Sequence, residues 1–199
     1  NAYLEILPDT RVTHTDVLTG GVNFSNTAGE MAILHYKVKI NNPGRYYVWA
    51  RAFSAGAEDN GLHVGINGTW PVTGQRLQWC EGKHNWRWES KQRTEKVHCG
   101  EPYLIYLDIV KAGIHEITFS MREDGFEFDR FLLTNKKEYV PQGIGPDVKV
   151  ASGKLPALYP VVAENPSAKP TFLYAVETSV KGLKLIKASL AIYKAVSDP

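Results

Sequence analysis

Residues 1–139 are predicted to form an all-β antiparallel sandwich of the jelly-roll type. Three observations predict it: short runs of alternating or apolar residues recur, turn residues separate them, and no helical period lies between them. The first run is Tyr3-Leu-Glu-Ile-Leu7. Met31–Ile40 alternates, with Ala32, Leu34, Tyr36, Val38 and Ile40 on one face. Asn42-Pro43-Gly44 is a turn, since Pro fixes φ and Gly accepts positive φ. Arg45–Phe53 follows directly, so a hairpin between these two runs is expected. Gly61–Ile66 is followed by Asn67-Gly68, a tight-turn signal. Further strands are expected at Trp86–Ser90, Tyr103–Ile109, His115–Met121 and Phe126–Thr134, with a turn at Lys111-Ala112-Gly113.

Composition divides the chain near residue 139. All five Trp, all six His, both Cys and every Arg precede it, and residues 140–199 hold seven Lys against four acids. Pro141–Pro146 resembles a linker. In the extension, Val148–Leu155 is a candidate strand. Apolar residues at 173, 176, 180, 183, 186 and 190 predict an amphipathic helix over 173–196, although Leu183, Leu185 and the Ser-Leu-Ala-Ile-Tyr run also suit a strand.

The formal net charge is only +2, with Lys and Arg interspersed among Asp and Glu, so neither a nucleic-acid nor a membrane-surface partner is expected. No run of 18 apolar residues occurs, and no transmembrane helix is expected. The sequence starts directly in strand-like residues, which suits a secreted protein after signal removal or a module cut from a longer chain. Cys80 and Cys99 flank strand-like sequence, and a disulfide between them is the favoured reading, with an extracellular location as its corollary. Two buried free thiols, or a zinc site completed by His84 and His98, are the alternatives. The Cys-x3-His spacing matches structural zinc poorly.

Two groups of residues suggest a binding surface. Trp79 and Trp86 flank the loop that follows Cys80, and Trp70 sits on a turn before Pro71. An exposed aromatic ring can cover the apolar face of a sugar, and core packing is the structural alternative. Trp86 and Trp88 share one strand face, and Trp88 and Trp49 are assigned to the core. Glu58, Asp59 and Asn60 occupy one inter-strand loop, and Arg122, Glu123 and Asp124 occupy another. Acids, amides and guanidinium groups are natural partners of vicinal hydroxyls, although hairpin loops are polar in any case.

The order of these elements resembles the galactose-binding-like jelly rolls of carbohydrate-binding modules, particularly families 6 and 35. The matching stretches are Tyr3–Leu7, Asn42–Arg51, Leu62–Gly68, Ala112–Phe119 and Arg122–Leu133, and none lies in the extension. The resemblance implies a non-catalytic module that tethers the catalytic domain of a secreted enzyme to a polysaccharide or oligosaccharide. Algal galactans such as agarose and the side chains of xylan are candidate ligands by the same analogy. It further implies a sugar site among the loops at one end, with Glu127 at a position the family often fills with Asn. A structural calcium on Glu5 and Asp129 is also implied. This chain has Leu7 where the family has a second Glu, and the alternative is that Asp129 pairs with Arg51 or Arg130.

Two other functions fit the residues. One is a structural accessory domain of a glycoside hydrolase. The other is a hydrolase using Glu127 and Asp129, which at i and i+2 on a strand stand about 6–7 Å apart, near the separation of an inverting pair. No nucleophile-elbow, zinc-protease, phosphate-loop or dinucleotide motif accompanies them.

Overall fold

A computed structural model describes residues 2–7 and 9–147 and, as strands, 171–179, 182–190 and 192–197. Twelve strands are assigned: β1 Ala2–Leu7, β2 Leu34–Ile40, β3 Gly44–Phe53, β4 Gly61–Ile66, β5 Leu77–Gln78, β6 Arg87–Glu89, β7 Tyr106–Ile109, β8 Gly113–Met121, β9 Glu127–Thr134, β10 Thr171–Ser179, β11 Gly182–Leu190 and β12 Ile192–Ser197. One sheet has the order β12-β1-β9-β3-β6, with β7 also paired to β3; the second has the order β2-β8-β4-β5. Every strand pairing is antiparallel, and the inner faces of the two sheets enclose one core, so the all-β sandwich predicted from sequence is the fold.

The alternation in Leu34–Ile40 places Leu34, Tyr36, Val38 and Ile40 inward while His35, Lys37 and Lys39 stay exposed. The strand starts three residues later than predicted because Ala32 takes φ 49°, which ends extended pairing. The expected hairpin between β2 and β3 does not form. β2 pairs with β8 in one sheet, and β3 pairs with β9, β6 and β7 in the other. Gly44, at φ 150°, turns the chain from sheet to sheet at this corner, and Gly113, at φ 143°, does the same between β7 and β8. A turn sequence reveals a reversal but not whether the returning strand joins the same sheet. Asn67 and Gly68 take φ 50° and 75°, the tight turn predicted from their pairing.

The centre of the core is aromatic. The Phe119 ring lies 4.9 Å from Phe128 and 5.0 Å from Phe131, and Tyr36 stands 4.9 Å from Phe131. Strict alternation would put Phe128 and Phe131 on opposite faces. A bulge resolves this, because Arg51 pairs with Arg130 while the next residue, Ala52, pairs with Phe128. Asp129 is the extra residue, and the bulge returns Phe131 to the core.

The long loop 9–33 covers the outer face of the second sheet: Gly29 N–H donates to Ser120 Oγ at 2.9 Å and Met121 N–H to the Met31 carbonyl at 3.0 Å. His63 lies wholly buried beneath it. Its Nδ1 accepts from Arg76 N–H at 3.1 Å, so Nε2 carries the proton and donates to the Ser25 carbonyl at 3.2 Å. Burial lowers the imidazole pKa from 6.5 to about 4, with Arg122 and Arg76 adding to the effect. The unfolded chain therefore takes up a proton between about pH 6.5 and 4 that the folded chain refuses, and stability falls through that window. The expected loss reaches about 3 kcal/mol near pH 4. Urea unfolding of wild type and His63→Gln at several pH values tests this; parallel pH dependence in the two proteins would refute it.

The segment marked as a linker packs against the outer face of the first sheet. Arg51 Nε and Trp88 Nε1 each donate to the Gly143 carbonyl at 3.1 Å, and Arg130 donates to the Ile144 carbonyl at 3.1 Å. In the extension, the predicted helix over 173–196 is instead extended backbone: β10 pairs with β11, and β12 pairs with β1. Thr171, Phe172, Tyr174 and Val176 favour a strand, and two-residue pairing prevails over the three-to-four apolar spacing. The candidate strand Val148–Leu155 lies outside the described residues.

Candidate functional site: a polar cleft at one end of the sandwich

β1, β3 and β8 end, and β4, β6 and β9 begin, at the same edge of the two sheets. This register brings together loop 54–60, loop 122–126 and the start of loop 9–33. Between them opens a cavity of about 320 Å³.

Its floor is a hydrogen-bonded network that little water reaches. Arg122, only 3% exposed, pairs with Glu123, whose other oxygen accepts from Asn60 N–H at 2.9 Å. Gln78 donates to the Asn60 side-chain carbonyl and accepts from Arg122 at 3.5 Å. Glu58, also buried, pairs with Arg11 and His14 from the long loop. Buried charges of this kind persist only when paired and hydrogen-bonded, and the result is a set of polar groups with fixed directions. Burial pulls the Arg122 pKa down, and Glu123 opposes the shift. The Phe24 ring lies 5.2 Å from the Arg122 guanidinium carbon and supplies an aromatic surface in the cavity wall.

A disulfide joins Cys80 and Cys99, whose Cα atoms are 5.3 Å apart, so neither thiolate is open to zinc. The bridge joins positions 19 apart in the sequence and is worth about 3 kcal/mol in chain entropy, and both cysteines border the cavity. Lys83 on this loop donates to Ser54 Oγ at 2.6 Å and to the Trp79 carbonyl at 2.9 Å, tying the loop to the network. Burial lowers the Lys83 pKa, while Asp59 and Glu123 act to raise it.

Of the residues singled out in the sequence, Glu58, Asn60, Arg122 and Glu123 line the cavity. Asp59 and Asp124 are buried and hold loops together. Asp59 accepts from Ala55 N–H at 2.6 Å, Gly56 N–H at 2.8 Å and Ser54 Oγ at 3.0 Å; Asp124 accepts from Thr10 N–H at 2.7 Å and Thr10 Oγ1 at 2.9 Å. Trp79 is corrected from sugar platform to core residue: it is 1% exposed and stands 4.8 Å from Phe126. Trp70 lies half-buried against Gly29 and Gly65, away from the cavity lining. Trp86 packs on Tyr3 at 5.2 Å and Phe53 at 5.8 Å, with Arg51 5.2 Å from its ring, on the outer face of the first sheet. Glu127 lies in register with Glu5 and Phe53 on that sheet and does not line the cavity.

Asp129 is paired with both Arg51 and Arg130. A carboxylate engaged by two guanidinium groups is a poor calcium ligand, and Glu5 stands opposite Glu127 rather than Asp129. The strand register therefore does not set Glu5 and Asp129 side by side, whereas Asp9, a third acid near Glu5 in the sequence, is acted on by Asp124, Asp59 and Glu5. The same pairing leaves Asp129 poorly disposed to act as a general base, and neither it nor Glu127 borders the cavity.

Arg11, His14, Phe24, Lys83, Arg93 and His98 also line the cavity; of these only His98 is singled out in the sequence, as a candidate zinc ligand. Their approach depends on how loop 9–33 and the disulfide loop fold back over the strand ends. Only the position of Lys83 and His98 beside the two cysteines pointed toward them.

No family model matches the chain. Over 159 residues, 80% of its length, the chain is 64% identical to an uncharacterized protein, P23, of Formosa agariphila, and it spans 38% of that protein's length.

Proposed function

We propose that this domain is a non-catalytic carbohydrate-binding module that holds a larger, secreted polysaccharide-acting protein on its polymer. The observation that carries the reading is the cleft itself: prealigned guanidinium, carboxylate and amide groups beside the half-buried Phe24 ring. Such a wall can cover a pyranose face while fixed polar groups read its hydroxyls, which lowers the entropy cost of binding. Tethering would raise the local substrate concentration for a linked catalytic domain. Algal galactans, of which agarose is neutral and porphyran and carrageenan are sulfated, are the first candidates.

Affinity electrophoresis against agarose, porphyran, carrageenan, xylan and alginate tests the reading. Retardation by at least one polymer is expected, weakened about tenfold by Phe24→Ala, the loss expected for one stacking ring of ~1.4 kcal/mol. Retardation by none of them would favour a scaffold domain. Release of reducing ends from the bound polymer would instead favour a hydrolase.

A further inference from the structure

The cleft lining is unbalanced in charge. Arg11, Lys83, Arg93 and Arg122 are opposed by two carboxylates, Glu58 and Glu123, with His14 and His98 beside them. That excess of two positive charges equals the formal net charge of the whole chain, +2. Both carboxylates are already engaged, Glu58 by Arg11 and His14, Glu123 by Arg122 and the Asn60 amide.

Arg93 is the residue left over. The charges that act on it are Arg122 and Arg76, which repel it, and Glu123, which is committed to Arg122. Burial is the largest cause lowering the Arg93 pKa, with those two arginines next; His98 is lowered first by Arg93 itself. Hydrogen bonding in the cleft is incomplete as well. The Nε–H groups of Arg11 and Arg122, and Glu58 Oε1, are buried without a hydrogen-bond partner among the described residues. Like charges gathered in a partly desolvated cavity repel one another and raise the local potential, and a bound anion relieves both.

We propose that the cleft takes the oxyanion of a charged sugar residue, a uronate carboxylate or a sulfate ester, on the guanidinium groups of Arg93 and Arg122. The proposal rests on the carbohydrate-binding reading and narrows it to acidic glycans. A guanidinium fork matches the paired oxygens of either group, and among the described residues the carboxylate that acts on Arg93 is Glu123, which is committed to Arg122. Glu58 and Asn60 then face the neutral hydroxyls of the same residue, and Phe24 faces the ring.

The test is native polyacrylamide affinity electrophoresis of the full chain, with the disulfide intact, in three gels. They contain carrageenan as the sulfated polymer, polygalacturonate as the uronate polymer and agarose as the neutral one. Retardation by at least one charged polymer is expected, and the polymer that retards identifies the anion; retardation by both points to the shared oxyanion. Arg93→Gln should weaken the binding by tenfold or more, the loss of one charge-assisted contact. Lys39→Gln removes the same charge from the exposed face of β2 and should leave binding unchanged. Thermal melts that match wild type establish that both variants fold. Retardation by agarose alone would overturn the charge assignment and leave carbohydrate binding standing. Equal losses in the two variants would overturn it as diffuse polyanion attraction. No retardation in any gel would remove both readings together.

Discussion

Replacing Trp79 with alanine is expected to lower the unfolding free energy by about 3–5 kcal/mol, the cost of deleting a large buried aromatic side chain. The indole is 1% exposed and packs 4.8 Å from Phe126. Its backbone also matters to the cleft, because Trp79 N–H donates to the Asn60 carbonyl at 2.7 Å and its own carbonyl accepts from Lys83 at 2.9 Å. A cavity left behind Trp79 would therefore loosen Asn60 and the start of the disulfide loop. The expected pattern is a large fall in the urea midpoint together with weaker binding. Phe24→Ala should show the reverse weighting, with binding weakened and the midpoint little changed. An unchanged midpoint for Trp79→Ala would show that the ring is not the core element described.

Glu123→Gln is the second large effect, with an expected cost of about 3–5 kcal/mol. Glutamine keeps the shape and still accepts from the Asn60 amide, so the change isolates the charge. Arg122, 3% exposed, would be left without its ion-pair partner. Arg76 and Arg11 act on it with like charge, and the loss of Glu123 leaves that repulsion unopposed. Adding Arg122→Met to Glu123→Gln should restore part of the lost stability, since an apolar chain in that space needs no partner. A double variant whose losses simply add would contradict the coupling. Urea unfolding of the two single variants and the double variant closes the cycle.

Much of the fold was legible in the residues. β4 was read residue for residue at Gly61–Ile66, and β6, β7, β8 and β9 were each located within three residues of their ends. These strands are short, alternate in polarity and are bounded by turn residues, a local pattern. The β2–β3 hairpin failed because Asn42-Pro43-Gly44 encodes a reversal and nothing in it encodes a change of sheet. The start of β2 was misjudged because nothing in the local pattern predicts φ 49° at Ala32.

The site was legible only in part. The resemblance implied a site among the loops at one end, and the register of β4 on β8 and of β3 on β9 brings loops 57–61 and 122–125 together at one end. Which acids face the cleft was not readable. Glu58 and Asp59 are adjacent, yet one lines the cavity while the other turns inward to hold Ala55 and Gly56. Trp79 resembled a platform because it stands at a loop margin, and its burial depends on Phe126, which lies 47 residues further along the chain.

The sequence by itself determined that this chain builds an antiparallel sandwich, which follows from local alternation and turn chemistry, and that its cysteines, beside strand-like residues, favour a bridge. That the binding loops share one end was implied by the resemblance to carbohydrate-binding modules. Only the tertiary structure decided that Arg11 from loop 9–33 and Arg93 from the disulfide loop meet Arg122 in one cleft with too few carboxylates to balance them. The reason is physical: a strand's faces are set by neighbours two residues apart, whereas the charge of a cavity is the sum over loops separated by up to 111 positions.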